Sequence, residues 1–328
     1  MNSNKIPIAM ASDTKLFFTI GPLIVSILDN AQEKTFYDIY ILCAGDVTQE
    51  QKDKLSELKS QYQNFSLSFI DMKDTFKNIP KTHTYVNYVA SYKFLIPSLL
   101  KQLDRIIYLD VDTIVRKDLS ELYNTDMGDN YIGGCVDLPQ QIVRTINKTK
   151  KLINLESMDY YINSGVLLMN LQEIRKNKID EQCISMIGSF KGSVDQHIFN
   201  KVCYGKIYFL PLKYNVSKLC RDYNLTNIFY CLKEAKETFE DPAIFHWFGK
   251  EKPWNYYNLI LSHEWFRYFI KSPFKDIKLN RQNNRFEKVF TPIEKEYFGI
   301  FKRILYPNGR NEIFIGNFKI LTYRKRRD

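Results

Sequence analysis

The chain has 328 residues, 45% of them hydrophobic and 26% charged, enough to bury a full core and to exclude disorder as its default state. No apolar run approaches the roughly 18 residues needed to cross a bilayer; the longest candidate is Pro22 to Leu28, and Met1 to Asp13 makes a poor signal peptide, so a cytoplasmic location is expected. The net charge of +10 gathers at one end, because Asn255 to Asp328 holds 16 Lys/Arg against 7 Asp/Glu and leaves the remainder nearly neutral.

Ile6 to Ser12 reads as a short apolar strand ending in Ser12-Asp13-Thr14, and Gly21 to Asn30 shows helical apolar spacing. A strand over Tyr37 to Cys43, a polar helix over Gln49 to Tyr62 and an alternating strand over Leu67 to Ile70 follow. This βαβαβ order predicts an α/β fold with a mostly parallel sheet and helices on both faces, in which ligands bind beyond the carboxyl ends of the strands. A helix is expected from Ala90 to Leu103, with Pro97 tolerated or kinking it, and then Arg105 to Leu109 forms an apolar strand running into Asp110-Val111-Asp112. Later strands are expected over Tyr131 to Val136, Gly165 to Asn170, Tyr208 to Pro211 and Ala243 to Phe245, and helices over Leu171 to Phe190 and Asp195 to Val202. The basic end carries 16 aromatic residues, among them Trp265, Phe266, Tyr268 and Phe269. Such interleaving suits a lipid headgroup boundary as well as a solvated basic face around extra helices, so residues 261–328 are expected to be a helical appendage and are the candidate docking segment for an anionic membrane surface at the inner face of the cell membrane.

The six cysteines, Cys43, Cys135, Cys183, Cys203, Cys220 and Cys231, show no zinc or redox spacing and read as buried free thiols. The chemistry gathers in two segments. In Asp110-Val111-Asp112, residues i and i+2 of an extended chain point the same way, so the two carboxylates can converge on one cation. Hard oxygen ligands favour Mg²⁺ or Mn²⁺, although a solvated turn after a strand yields the same pattern. The second segment, His246-Trp247-Phe248-Gly249-Lys250-Glu251-Lys252-Pro253-Trp254, follows a strand candidate. Its glycine permits close backbone approach and its lysines can hold a phosphate. A histidine among aromatics is also an ordinary packing residue; as a third ligand, its imidazole would tilt the metal toward Mn²⁺.

Together these segments resemble glycosyltransferase family 8, the bacterial lipopolysaccharide galactosyl- and glucosyltransferases and their glycogenin-like relatives. The likeness runs from Ile6 to Trp254 through Ala11-Ser12-Asp13, Ser91-Tyr92-Lys93-Phe94-Leu95-Ile96-Pro97 and Tyr108-Leu109-Asp110-Val111-Asp112. It continues in Gly134-Cys135-Val136-Asp137, Tyr161-Ile162-Asn163-Ser164-Gly165-Val166-Leu167-Leu168-Met169-Asn170-Leu171, Asp195-Gln196, Leu210-Pro211-Leu212-Lys213-Tyr214-Asn215 and the run from His246. The resemblance implies a GT-A, Rossmann-like nucleotide-sugar-binding domain over residues 1–260, before the appendage. It implies a retaining, Mn²⁺-dependent hexosyltransferase acting from a UDP-sugar on a glycan or glycolipid acceptor, with Mg²⁺ as the alternative ion. Asp110, Asp112 and His246 would ligate the metal. Ala11, Asp13, Lys15, Asp110, Val111, Asp112, Gly249 and Lys252 would bind the nucleotide, and Lys93, Asp137, Asn163, Gly165, Asp195 and Gln196 the donor sugar, with Asp195 and Gln196 catalytic. Lys93 stands where the family usually has arginine, Lys15-Leu16 where Asn-Tyr is frequent, and His197 where a second aspartate is common.

The physical logic is that breaking a sugar-phosphate bond leaves a diphosphate whose growing charge needs a cation, for which a divalent ion and Lys252 would serve. Gln196 is a weak nucleophile beside a carboxylate, which favours same-face attack with Asp195 orienting the donor. Two other readings compete. A haloacid-dehalogenase-like phosphatase also places two aspartates after an apolar strand, but this chain has Ile114 two positions past the second one and carries the pair far from its start. A basic nucleic-acid-binding protein would account for the pI near 9.1, yet the positive charge is confined to the last quarter and no nucleic-acid motif is present, so no nucleic-acid partner is expected.

Overall fold

A computed structural model describes residues 4–73, 75–76, 88–141, 143–159, 161–190, 194–217, 238 and 241–282, and the backbone of the strands within 293–324. The chain forms two compact units, Met1–Lys250 with Trp265–Ile277, and Glu251–Glu264 with Lys278–Asp328.

The first unit is built on a seven-stranded sheet of order β3-β2-β1-β4-β7-β6-β8. Its strands are β1 (Asn4–Ser12), β2 (Thr35–Ala44), β3 (Phe65–Lys73), β4 (Arg105–Leu109), β6 (Ile132–Val136), β7 (Ile162–Asn170) and β8 (Ile207–Phe209). β1 runs parallel to β2 and β4, β2 parallel to β3, and β6 parallel to β8, whereas β7 is antiparallel to β4 and β6. The sheet is thus mixed and mostly parallel, as the alternating pattern implied. Ile6, Ile8, Ala9 and Met10 of the central β1 are fully buried, which is why that strand reads as a continuous apolar run rather than an alternating one. The helix Ile20–Asp29 is buried from Ile20 through Leu28. The helix Gln49–Ser56 starts at a capping box in which Thr48 accepts from the Gln51 N–H and the Gln51 side chain accepts from the Thr48 N–H.

Three expected elements differ. The helix foreseen from Ala90 to Leu103 is three short pieces, Tyr88–Ser91, a 3₁₀ turn over Tyr92–Leu95, and Ile96–Leu99. Pro97 is the cause: it cannot donate to the carbonyl of Lys93, and the chain tightens so that the Ile96 N–H bonds to that oxygen instead. The helix foreseen over Leu171 to Phe190 divides into Leu171–Lys176 and Ile179–Ser185, broken by Lys178 in the left-handed region at φ 54°. The basic appendage is helical over Ser262–Lys271. Beyond it lies a four-stranded antiparallel sheet of β10 (Ile293–Tyr297), β11 (Phe301–Leu305), β12 (Arg310–Ile315) and β13 (Phe318–Arg324). The expectation of a wholly helical appendage is therefore corrected. Its sequence has runs of aromatic and β-branched residues on both sides of Asn308-Gly309, a hairpin signal.

The helices Ser120–Tyr123 and Val143–Ile153 were not foreseen. Nor was the strand β5 (Thr113–Val115), which pairs antiparallel with β9 (Ile244–His246), the strand expected over Ala243 to Phe245. Cys43, Cys135, Cys183 and Cys203 are free and buried; Cys220, Cys231 and residues 325–328 lie outside the described residues. No helix among the described residues is long and apolar enough to cross a membrane.

Candidate active site

The site is assembled where β1 and β4 end. The parallel register Ala9↔Tyr108 carries Ala11 and Asp13 toward the same edge as Asp110, the carboxyl end at which such sheets bind ligands. Ala11 is buried, Asp13 accepts a hydrogen bond from the Leu16 N–H at 2.9 Å, and Lys15 is exposed.

The turn after β4 is held on both sides. The Asp110 N–H donates to the Gly165 carbonyl at 2.7 Å, the Thr113 hydroxyl donates to the Asp110 carbonyl at 2.8 Å, and the Trp247 N–H donates to the Asp112 carbonyl at 3.0 Å. Pairing of β5 with β9 places Thr113 opposite His246. Val111, between the two aspartates, is almost wholly buried. His246 Nε2 stands 3.0 Å from Asp112 Oδ1 and 4.0 Å from Asp110 Oδ2. One ligand atom from each of the three residues lies within 4.8 Å of the others. Gly165 makes room for them, since a Cβ there would meet His246 Cε1 at 2.2 Å and Asp110 Oδ2 at 2.7 Å.

Beside this cluster the ammonium of Lys93 is fully buried. It donates to Asp195 Oδ2 at 2.8 Å, to the Ser164 carbonyl at 3.0 Å and to Asp110 Oδ1 at 3.4 Å, and it lies 4.4 Å from the centroid of the Tyr108 ring. The Ser164 hydroxyl also donates to Asp195 Oδ2, at 2.9 Å. Burial opposes the charge of Asp195, but the Lys93 ammonium and these hydrogen bonds hold its carboxyl below the ordinary range. Burial likewise opposes the charge of Lys93, and Asp110 and Asp195 outweigh it, raising the lysine's pKa.

A second set of contacts surrounds Gln196. Its amide NH₂ donates to Asp137 Oδ2 at 2.6 Å and lies 3.3 Å from the Tyr161 hydroxyl, which is itself 2.6 Å from His197 Nδ1. Burial pushes the Asp137 carboxyl up, and bonds from Gln196, the Gln140 N–H and Asn163 offset only part of that. The Asn163 carbonyl oxygen accepts from the Gly165 N–H at 3.0 Å and from Asn215 Nδ2 at 2.9 Å.

Asp110 and Asp195 both face the buried ammonium of Lys93, while Asp112 adds its charge beside Asp110 and Asp137 is held by the Gln196 amide. Desolvation lifts the Asp110 carboxyl above its usual range in spite of Lys93, and the Asp112 carboxylate adds to the lift. Oxygen donors in excess of positive charge, one imidazole at bonding range and a glycine-made hollow fit a divalent ion such as Mn²⁺ or Mg²⁺.

Gly249 follows His246 at φ 89° with nothing within 4 Å of a would-be Cβ, a backbone state that favours glycine. Lys252 belongs to the second unit, where its ammonium lies 5.9 Å from the centroid of the Trp254 ring. Ser164, Tyr161, Asn215 and His197 also take part in the site although no role was foreseen for them. The first three lie inside the segments that carried the resemblance and His197 directly follows Asp195-Gln196, so position relative to those segments was the available signal.

The family model described as Glycosyl transferase family 8 matches residues 7–258. The lipopolysaccharide 1,2-glucosyltransferase of Escherichia coli is 25% identical over 296 residues, covering 86% of this chain and 85% of that protein. Among solved structures, the apo form of the WbbM bifunctional glycosyltransferase aligns at TM-score 0.74 and 24% identity over 86% of this chain; the aligned part is 52% of WbbM, so this chain spans about half its length. The galactosyltransferase LgtC in complex with donor and acceptor sugar analogs aligns at TM-score 0.68 and 21% identity, covering 81% of this chain and 96% of that one. These structures share the GT-A type of fold with this chain.

Proposed function

This chain belongs to glycosyl transferase family 8, and we propose that it moves a hexose, glucose or galactose, from a UDP-sugar to a saccharide acceptor of a cell-surface glycan such as lipopolysaccharide or lipooligosaccharide, with retention at the anomeric carbon. The likeness to the E. coli lipopolysaccharide 1,2-glucosyltransferase, extending over most of both chains, supports the acceptor class. The observation that carries the reading is the convergence of Asp110, Asp112 and His246 beside the buried Lys93–Asp195 pair.

In this reading Asp110, Asp112 and His246 hold Mn²⁺, with Mg²⁺ as the alternative, and the bound ion supplies Lewis-acid stabilisation to the departing diphosphate. Ala11, Asp13 and Lys15 receive the uridine, Val111 lines the nucleotide, and Gly249 and Lys252 take the diphosphate. Lys93, Asp137, Asn163, Gly165, Asp195 and Gln196 surround the sugar. Lys93 keeps Asp195 ionised and in place to orient donor hydroxyls. The Gln196 amide, held by Asp137, is a poor nucleophile, which favours same-face attack over a covalent intermediate.

The enzyme is read as cytoplasmic and peripheral on the inner face of the membrane through residues 261–328. Phe266 and Ile270, one helical turn apart on Ser262–Lys271, are 37% and 50% exposed, and basic residues flank them. Unchanged sedimentation with phosphatidylglycerol vesicles after removal of residues 278–328 together with Phe266→Asp and Ile270→Asp would count against this part.

The catalytic reading is tested by offering UDP-glucose, UDP-galactose and UDP-N-acetylglucosamine without acceptor and measuring UDP release. Slow, Mn²⁺-dependent hydrolysis of a hexose donor, lost in Asp112→Asn, is expected. Failure of any divalent ion to support turnover of any donor, or release of inorganic phosphate from monoesters instead, would overturn it.

A further inference from the structure

We propose that Asn215 is a positioning residue that fixes which nitrogen of His246 carries the proton and turns the other toward Asp110 and Asp112. The inference rests on the reading of His246 as a metal ligand, and it concerns a residue outside the ligand set.

The argument starts from the one donor whose direction is beyond choice, a backbone N–H. The Gly165 N–H donates to Asn163 Oδ1 at 3.0 Å, so that atom is an oxygen and the Asn163 NH₂ group lies on the other side, where it reaches the Asp137 carboxylate. A donor and a carboxylate at opposite ends therefore agree on how the Asn163 amide is oriented. The same Asn163 oxygen stands 2.9 Å from the Asn215 amide, and two oxygens would repel at that distance, so Asn215 presents Nδ2 to it. Asn215 Oδ1 is left facing His246 Nδ1 at 3.0 Å. An oxygen there can only accept, which places a ring proton on Nδ1 and turns Nε2 toward Asp112 Oδ1 at 3.0 Å, the side on which a bound cation would sit.

Asn215 is itself held firmly. It closes the 3₁₀ turn Leu212–Tyr214 through its N–H to the Leu212 carbonyl at 3.0 Å, and its neighbour Val216 bridges Phe245 beside β9. Asn163, Asn215 and His246 are all buried, so water does not supply a substitute partner cheaply. Because Asn163 also reaches Asp137, and Asp137 accepts from Gln196, one run of hydrogen bonds joins the imidazole to the amide on the sugar side of the site. Groups that orient a ligating imidazole typically govern about 10–100-fold in metal affinity.

The test uses the full chain. Long-range ¹H–¹⁵N spectra without metal report the ring state of His246, assigned by comparison with His246→Gln, and titration calorimetry reports Mn²⁺ affinity. In the wild type Nδ1 is expected to carry a proton, with or without a second one on Nε2 toward Asp112; finding the proton on Nε2 alone overturns the proposal whatever the variants do. Asn215→Leu is expected to populate the form protonated on Nε2 alone and to bind Mn²⁺ about 10–100-fold more weakly. An Asn215→Leu protein that folds, retains Nδ1–H and binds Mn²⁺ within about threefold of wild type sinks the proposal. Should His246→Gln bind Mn²⁺ as the wild type does, the ligand assignment fails instead, and the ring spectra distinguish that failure from a failure of Asn215.

Discussion

At Gly165 the missing side chain is what lets an imidazole and a carboxylate close on one point. A Cβ would stand 2.2 Å from His246 Cε1, which is ring rather than the end of a flexible chain, and 2.7 Å from Asp110 Oδ2. Gly165 lies inside β7 and is not among the positive-φ residues, so the objection to a side chain there is steric only. Gly165→Ala is expected to leave the sheet intact and weaken Mn²⁺ binding at least about tenfold, since both donors must move. Calorimetry checks the affinity and the melting temperature checks the fold; an alanine variant that binds Mn²⁺ normally would show that the cluster is not the metal site. Lys93 carries a comparable constraint, because its ammonium serves Asp110, Asp195 and the Ser164 carbonyl at once. Arginine, the family's usual residue, is larger and planar, so its exchange for lysine changes geometry as well as strength.

Between elements, one carboxylate ties β2 to two loops. Asp118 Oδ2 accepts from the Gln32 N–H at 2.8 Å and the Tyr37 hydroxyl at 3.0 Å, Oδ1 accepts from the Ser120 N–H at 2.9 Å, and the Leu119 N–H donates to the same tyrosine hydroxyl at 3.1 Å. Partial burial works against the charge of Asp118, and the Gln32 and Ser120 bonds prevail, holding its pKa below the ordinary carboxylate range. A depressed folded-state pKa gives stability that is present above the unfolded value, near pH 4, and is lost as pH falls through the lower folded value. Asp118→Asn is therefore expected to cost roughly 1–2 kcal/mol at pH 7, the lower part of the range for bonds to a charged group because this one is part solvated. The cost should shrink as pH drops below about 4. Urea unfolding at pH 7 and pH 3 measures both, and an equal cost at the two values would refute the assignment.

Across the whole molecule, the segment Trp265–Ile277 completes the first unit from 15 or more residues beyond Lys250. Phe274 packs edge-on to Phe17 at 6.2 Å and Phe269 to Phe18 at 6.5 Å, the Asn30 amide donates to the Tyr268 hydroxyl at 3.1 Å, and Lys271 pairs with Asp29 at 2.6 Å. Trp265, Tyr268, Phe269 and Phe274 are buried. At roughly 1.5–3 kcal/mol apiece, their loss would rival the whole stability of a typical domain, roughly 5–15 kcal/mol. A chain ended at residue 260 is therefore expected to be insoluble or to melt far below the full chain, whereas one ended at residue 277 keeps the melting transition of the first unit. Equal melting of the two shortened chains, followed by circular dichroism, would contradict this.

Much of the fold was legible in the residues alone. The βαβαβ alternation and the pair Asp110 and Asp112 at a strand end are written locally, because burial imposes a period of two or 3.6 on neighbours in the chain. The family segments likewise pointed to Asp195, Gln196 and His246 as candidates. Tertiary structure decided what those residues meet. His246 reaches Asp112 because β5 pairs with β9, Lys93 on the turn Tyr92–Leu95 meets Asp195 on the helix Val194–Val202, and Asn215 reaches His246 by running beside β9. The basic end shows the same limit, since its interleaved aromatics and charges suited a membrane-facing helix on composition, yet hydrogen-bonded pairing makes strands of Ile293–Tyr297, Phe301–Leu305, Arg310–Ile315 and Phe318–Arg324. Periodicity records which side of a segment is buried; which segments come together depends on hydrogen bonds and packing between residues far apart in the chain.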